Sequence, residues 1–113
     1  MPGRVTFLGE FEQVVLLAVL HLEANAYGTT IRREIETRAG RPVSIGAAYA
    51  TLDRLVEKGY LRAREEAGGA ERSGRIRRFF SVTSSGTGAL QDARDLQTRM
   101  WAGIHLRRAP RKP

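Results

Sequence analysis

The chain has 113 residues, with 19 Lys and Arg against 12 Asp and Glu, a formal charge of +7 and no cysteine. That length makes one domain with one appended element and a small core, and the missing thiols exclude disulfides and thiolate metal sites. The positive excess points toward nucleic acid or another anionic surface as partner.

Residues 1–7 read as a loose lead-in without the small-residue cleavage site that a signal peptide needs after its apolar core. No apolar run reaches the ~18–20 residues that span a bilayer, so a cytoplasmic protein is expected. Leu8 to Leu22 is apolar almost throughout, with the polar residues Glu10, Glu12 and Gln13 confined to its front. A helix apolar nearly all round is buried on most sides. A domain this short cannot cover it completely, so part of helix 1 is expected to meet another chain. Asn25-Ala26 breaks the pattern, and Tyr27, Ile31, Ile35 and Ala39 then recur at helical spacing as helix 2. Gly40 ends that helix and Pro42 blocks its continuation. Arg32–Glu36 and Glu34–Arg38 are i,i+4 pairs that mark a solvated face. Gly40 to Val43 is a short link to helix 3, which makes a helix-turn-helix arrangement.

Helix 3 starts at Ser44, whose hydroxyl can cap a first-turn N–H, and stops at Gly59, which can take the left-handed conformation. Ile45, Ala48, Tyr49, Leu52, Leu55 and Val56 form its apolar face. Ala47, Ala50, Arg54 and Lys58 point the other way, with Thr51 on the flank. The pattern then turns strand-like. Tyr60 to Arg64 leads into a Gly-containing polar loop with Glu65, Glu66, Gly68, Gly69, Glu71, Arg72, Ser73 and Gly74, and Arg75 to Thr83 forms a second extended run. A helix followed by a basic hairpin is the order of a winged helix: reading helix, then wing.

Thr83 or Ser84 can cap a last helix whose first turn is weakened by Gly86 and Gly88. Ala89, Leu90, Ala93, Leu96, Met100, Trp101 and Ile104 lie along one side of it. Every earlier segment is already used in the winged helix, so this stripe is expected to pack on a second copy and on its helix 1. The expected organisation is an α+β, mainly helical winged helix-turn-helix at 1–83, a dimerisation helix at 84–106 and a basic disordered tail at 107–113.

Arg54 can fork onto a guanine edge or a phosphate, or else pair with Asp53 or Glu57. Gly46, Ala47, Ala50 and Thr51 are short enough for close approach and methyl contacts to thymine, so part of the reading is expected from DNA shape. Ser44 and the first-turn N–H groups can hold a phosphate. Tyr49 lies at the edge of the apolar face, its ring toward the core and its hydroxyl within reach of a phosphate. Lys58 adds a cation further along. On the hairpin, Arg75 and Arg77 share one face, while Ile76 and Arg78 share the other. No catalytic constellation is legible: His21 and His105 lack partners at metal spacing, Gly68-Gly69 has no phosphate-loop lysine after it, and nothing asks for a cofactor. A winged helix that binds RNA, or only protein, is the alternative. The absence of exposed aromatics for stacking argues against RNA.

Four stretches carry a resemblance. They are Tyr27-Gly28-Thr29-Thr30-Ile31, Ser44 through Leu55, Glu57-Lys58-Gly59-Tyr60-Leu61, and Gly74 through Gly86. Together they resemble the PadR family of bacterial transcriptional regulators. The resemblance implies a winged-helix homodimer joined by its C-terminal helix, acting as a repressor that leaves its double-stranded operator when an effector binds. The family often has proline at Ala50, a basic residue or proline at Ile76, and tyrosine at Phe79 and Phe80. The short C-terminal part matches the compact branch, some of whose members bind flat aromatic compounds between subunits, a role that would suit Trp101 here, with plain packing of its ring as the alternative.

Overall fold

Local backbone chemistry sets the element boundaries. The computed structural model describes residues 7–67 and 76–107. Helix α1 (Glu10–Leu22) begins where the Glu12 carboxylate accepts the Gly9 N–H at 2.8 Å. A short 3-10 turn (Glu23–Asn25) follows, then α2 (Gly28–Ala39). The Thr30 hydroxyl anchors the start of α2: it accepts the Tyr27 N–H at 3.0 Å and donates to the Asn25 carbonyl at 2.6 Å. Gly40 closes α2 in the left-handed region at φ 67°. Helix α3 (Ile45–Glu57) opens on Ser44, whose Oγ accepts the Ala47 N–H at 3.0 Å, and the chain leaves it through Gly59 at φ 82°. Strands β1 (Leu61–Ala67) and β2 (Ile76–Val82) pair antiparallel, Leu61 opposite Val82 and Ala67 opposite Ile76. Helix α4 (Ser84–Trp101) starts from the Thr83 hydroxyl, which accepts the Gly86 N–H at 3.0 Å. This is the winged helix that the sequence order predicts.

The core takes Val15, Leu16 and Val19 from α1, Ile31 and Ile35 from α2, Leu52 and Leu55 from α3, and Leu61 and Phe80 from the hairpin. Each such side chain contributes about 1.5–3 kcal/mol by leaving water. Helix α1 is central, yet Leu17 and Leu20 remain 46% exposed on its outer side. Among the described residues no helix is long and apolar enough to cross a membrane.

The structure revises four expectations. Glu65 and Glu66 lie within β1, not in the loop. The other loop residues at 68–74, and Arg75 with them, lie outside the described residues, as does most of the tail. Arg32 and Glu36 do more than decorate a solvated face. Arg32 Nε donates to the Val43 carbonyl at 3.1 Å while Glu36 accepts the Val43 N–H at 3.1 Å, so the pair grips the turn between α2 and α3 from both sides. The α4 stripe is not wholly uncovered, because Leu90 packs against the domain's own core. And α4 stops at Trp101: Gly103 turns the chain at φ 81°, and Ile104 lies beyond the helix.

Two glycines of α4 separate docking from propensity. A Cβ on Gly86 would overlap the Tyr60 carbonyl oxygen and Val82, whereas one on Gly88 meets nothing within 4 Å. Gly86→Ala should therefore destabilise the fold by about 1–3 kcal/mol through overpacking against backbone. Gly88→Ala should stabilise it by about 0.5–1 kcal/mol through helix propensity alone. Urea melts of the two variants are expected to shift in opposite directions.

Candidate nucleic-acid interface

Helix α3 turns Ala48, Thr51, Leu52 and Leu55 inward. At 100° per residue that leaves Gly46, Ala50, Asp53 and Glu57 along the outermost line, with Ala47, Arg54 and Lys58 on one flank and Ile45, Tyr49 and Val56 on the other. The N-terminal half of the outer surface is thus bare and close-fitting, and its C-terminal half carries acids. Ser44, Ala47 and Ala50 are exposed as expected. Thr51 is not: it is 3% exposed, turned toward the body, and cannot supply a contact from the flank. Ile45 is a second correction. Helical spacing puts it on the apolar face, but it is 57% exposed, because the buried Val43 fills the inward position just before it and none of the described residues covers the first turn.

Arg54 and Lys58 are held by a residue that the pattern did not single out. One oxygen of Glu12 accepts Lys58 Nζ at 2.8 Å and Arg54 Nε at 3.3 Å, and the other accepts the Gly9 N–H at 2.8 Å. Arg54 also donates from Nη2 to the Thr51 hydroxyl at 3.2 Å. The partner of Arg54 is therefore neither Asp53 nor Glu57 but a carboxylate from α1. Two residues earlier, Glu10 takes both terminal nitrogens of Arg41 at 3.0 and 3.1 Å, so the acidic first turn of α1 grips cations from the turn and from α3. The sequence signal was faint: acids only at the front of an apolar helix, with nothing to say that the front faces α3.

The tyrosines join α3 and the hairpin to α2. A Cβ at Gly28 would overlap the Tyr49 hydroxyl, so only glycine admits that ring, and Tyr49 stays at the edge of the face with its polar tip against α2. Tyr27 meets Phe79 edge-on with ring centroids 5.3 Å apart. The Arg77 guanidinium lies 4.2 Å over the Tyr27 ring and that of Arg64 5.1 Å over Phe79. Stacked guanidiniums lose little freedom on meeting a phosphate, since the plane is already fixed. Arg78 points to the opposite face and donates to Asp53 on α3 at 3.1 Å. Across the ladder Glu66 stands opposite Arg77 and Glu65 opposite Arg78. In its described part the wing carries Arg62, Arg64, Arg77 and Arg78 against Glu65 and Glu66, so it stays positive but is less basic than the arginine run alone suggests.

On α4, Leu96, Met100 and Trp101 are exposed, as is Ile104 just past its end, while Leu90 and Ala93 are half-buried. Trp101 is 50% exposed, with its indole N–H donating to Gln97 at 3.2 Å.

A sequence model of the family described as Transcriptional regulator PadR-like matches residues 16–92. No curated protein matches significantly. Among solved structures, hsRosR-S4, determined as a complex, is similar at 30% identity and TM-score 0.65, over 87% of this chain and 77% of that one. A PadR-like transcription factor from Bacteroides fragilis shares the fold at 23% identity and TM-score 0.69, over 80% of this chain and 82% of that one. So does a PadR family transcriptional regulator from Eggerthella lenta, at 23% identity and TM-score 0.65, over 83% and 81%.

The Glu12 cluster makes stability depend on pH. Burial raises the proton affinity of this carboxyl, but the bonds from Lys58, the Gly9 amide and Arg54 outweigh burial and hold its pKa below the usual glutamate value. A group depressed in the folded state contributes stability that is present above its unfolded pKa and lost as the pH falls through its folded one. Glu12→Gln should cost about 1.5–3 kcal/mol at neutral pH, the range for bonds to a charged group. It should cost less at acid pH, below the usual glutamate range, where the wild-type carboxylate is itself being protonated. Urea melts at both pH values check this, and an equal loss at both would assign the defect to packing.

Proposed function

The chain belongs to the PadR-like family of transcriptional regulators, and from that premise we propose that it is a homodimeric, ligand-responsive repressor that binds a double-stranded operator. DNA-binding transcription regulation is the work of the family; the dimer, the effector and the sign of regulation are our reading for this chain. The observation that carries it is the juxtaposition of a bare, capped helix start on α3 with stacked arginines on the adjacent strand β2.

In this reading the N-terminal half of α3 enters the major groove. Ser44 and the first-turn amides meet a phosphate, and Ala47 and Ala50 permit close approach to base edges. Tyr49 offers its hydroxyl from the flank, and Arg54 and Lys58 reach DNA from the other flank when they leave Glu12. Arg77, Arg78 and Arg75 hold the backbone beside the groove. Thr51 has no part. The second copy packs on Leu96, Met100, Trp101 and Ile104, continuing from the half-buried Leu90 and Ala93, and covers Leu17 and Leu20 of α1. Those apolar groups lie bare on one chain, and a two-fold pairing buries them reciprocally. The half-exposed Trp101 would offer its ring to a flat aromatic effector at that seam.

Arg77→Ala should weaken binding to all duplexes alike and lower the log–log salt slope by ~1 per half-site. Arg54→Ala should instead cost ~1–3 kcal/mol on the operator and relax the preference at one base position. Fluorescence anisotropy on operator and scrambled duplexes across salt separates the two. Binding that is indifferent to both substitutions would overturn the docking.

Leu96→Asp should convert a dimer to a monomer in light scattering and weaken operator binding, because two half-sites ~10–10.5 bp apart are no longer held together. The chain has one tryptophan, so an effector at the seam should quench fluorescence saturably in the wild type and not in this variant. A wild-type chain that is monomeric at micromolar concentration sinks the assembly.

A further inference from the structure

The geometry points to Glu12 as a positioning residue that withholds two cations of the reading helix from DNA phosphates, so that binding to arbitrary sequence stays weaker than the chain's charge implies. The inference rests on the DNA-binding reading above. Arg54 and Lys58 sit one helical turn apart on the flank of α3 facing α1, and both converge on one oxygen of Glu12. A carboxylate taking N–H donors from arginine and lysine offers the same chemistry as a phosphate oxygen. In the free protein Glu12 therefore occupies the place that a backbone phosphate would take.

Burial decides how firmly. The Glu12 side chain is only 9% exposed, so opening the cluster strands a carboxylate away from water. The Glu10–Arg41 pair shows the contrast: Glu10 is 72% exposed, and such a pair is screened and opens freely. The guanidinium and the ammonium are themselves accessible enough to leave, at 51% and 28% side-chain exposure. Random phosphate backbone offers them nothing better than Glu12. A correctly placed guanine edge or phosphate, fixed by the rest of the docking, does. Glu12 thus lowers non-specific affinity more than operator affinity and widens the gap between them.

The test uses the 113-residue chain, a duplex of random sequence and a duplex that the chain itself selects from genomic DNA, with anisotropy measured across sodium chloride concentration. In the wild type, Lys58→Gln should leave the non-specific salt slope unchanged, because that charge is not on a phosphate. Glu12→Gln keeps the shape and one acceptor but frees both cations. It should steepen the non-specific slope by about 1–2 per subunit and narrow the operator preference, since each added phosphate contact contributes about 0.9. Adding Lys58→Gln to it should take back about one. Asp92→Asn removes an equal charge from the exposed side of α4, away from the reading helix, and should leave the slope nearly as it was. An unchanged slope in a folded Glu12→Gln chain, an equal rise with Asp92→Asn, or a fall with Lys58→Gln alone would each overturn the inference. If Glu12→Gln does not fold, the Lys58→Gln measurement decides by itself. Wild-type protein that binds no duplex overturns the DNA-binding reading and this inference together, whereas normal wild-type binding with the wrong slopes overturns only this one.

Discussion

Phe80 holds the wing to the helices. Its ring is buried in the centre of the core, and its backbone N–H donates to the Ala26 carbonyl at 2.8 Å, so the strand is fastened to the turn between α1 and α2 by packing and by a hydrogen bond at one residue. Everything around it follows from strand alternation. With Phe80 inward, Phe79 must face the other way and meets Tyr27, and Arg77 shares that face and lies over the same ring. Arg78 shares the inward side and reaches Asp53 on α3. A slip of one residue would exchange these faces and remove every contact that aligns the hairpin with α3. An isolated two-stranded hairpin is marginal in water, and this one has its place because one aromatic ring commits it.

What the sequence made legible was local. Ser44, Gly40, Gly59 and Thr83 act on backbone groups within four residues of themselves, so the helix types, the end of α2, both ends of α3 and the start of α4 followed from residue chemistry. The order helix, turn, helix, hairpin then pointed to the winged helix. What stayed hidden depends on which elements face each other. Thr51 and Ile45 exchanged places because amphipathic spacing gives the direction of a face but not its width or what covers it. Glu12 lies far from Lys58 in sequence, and only the packing of α1 across α3 brings the two within 2.8 Å. Leu90 was assigned to another chain because counting elements cannot show that the first turns of α4 fold back on their own core.

Formal charge overstated the wing for the same reason. Arginines dense in sequence sit opposite glutamates in the ladder and beside an aspartate on α3. Side-chain pairing spreads the excess over the molecule, and the surface of α3 is shaped more by small residues than by cations. Short side chains at its front set how near a partner can come, and acids at its rear discourage a polyanion from lying along its whole length.

The grip on Val43 has a mechanical consequence. With its carbonyl held by Arg32 and its amide by Glu36, Val43 is fixed to α2 at the joint where α3 begins. The exposed Glu10–Arg41 pair touches the same turn from α1 but, open to water, adds little to that grip. The two helices therefore behave as one machined part. A displacement of α2 is carried into α3 and not taken up at the turn between them.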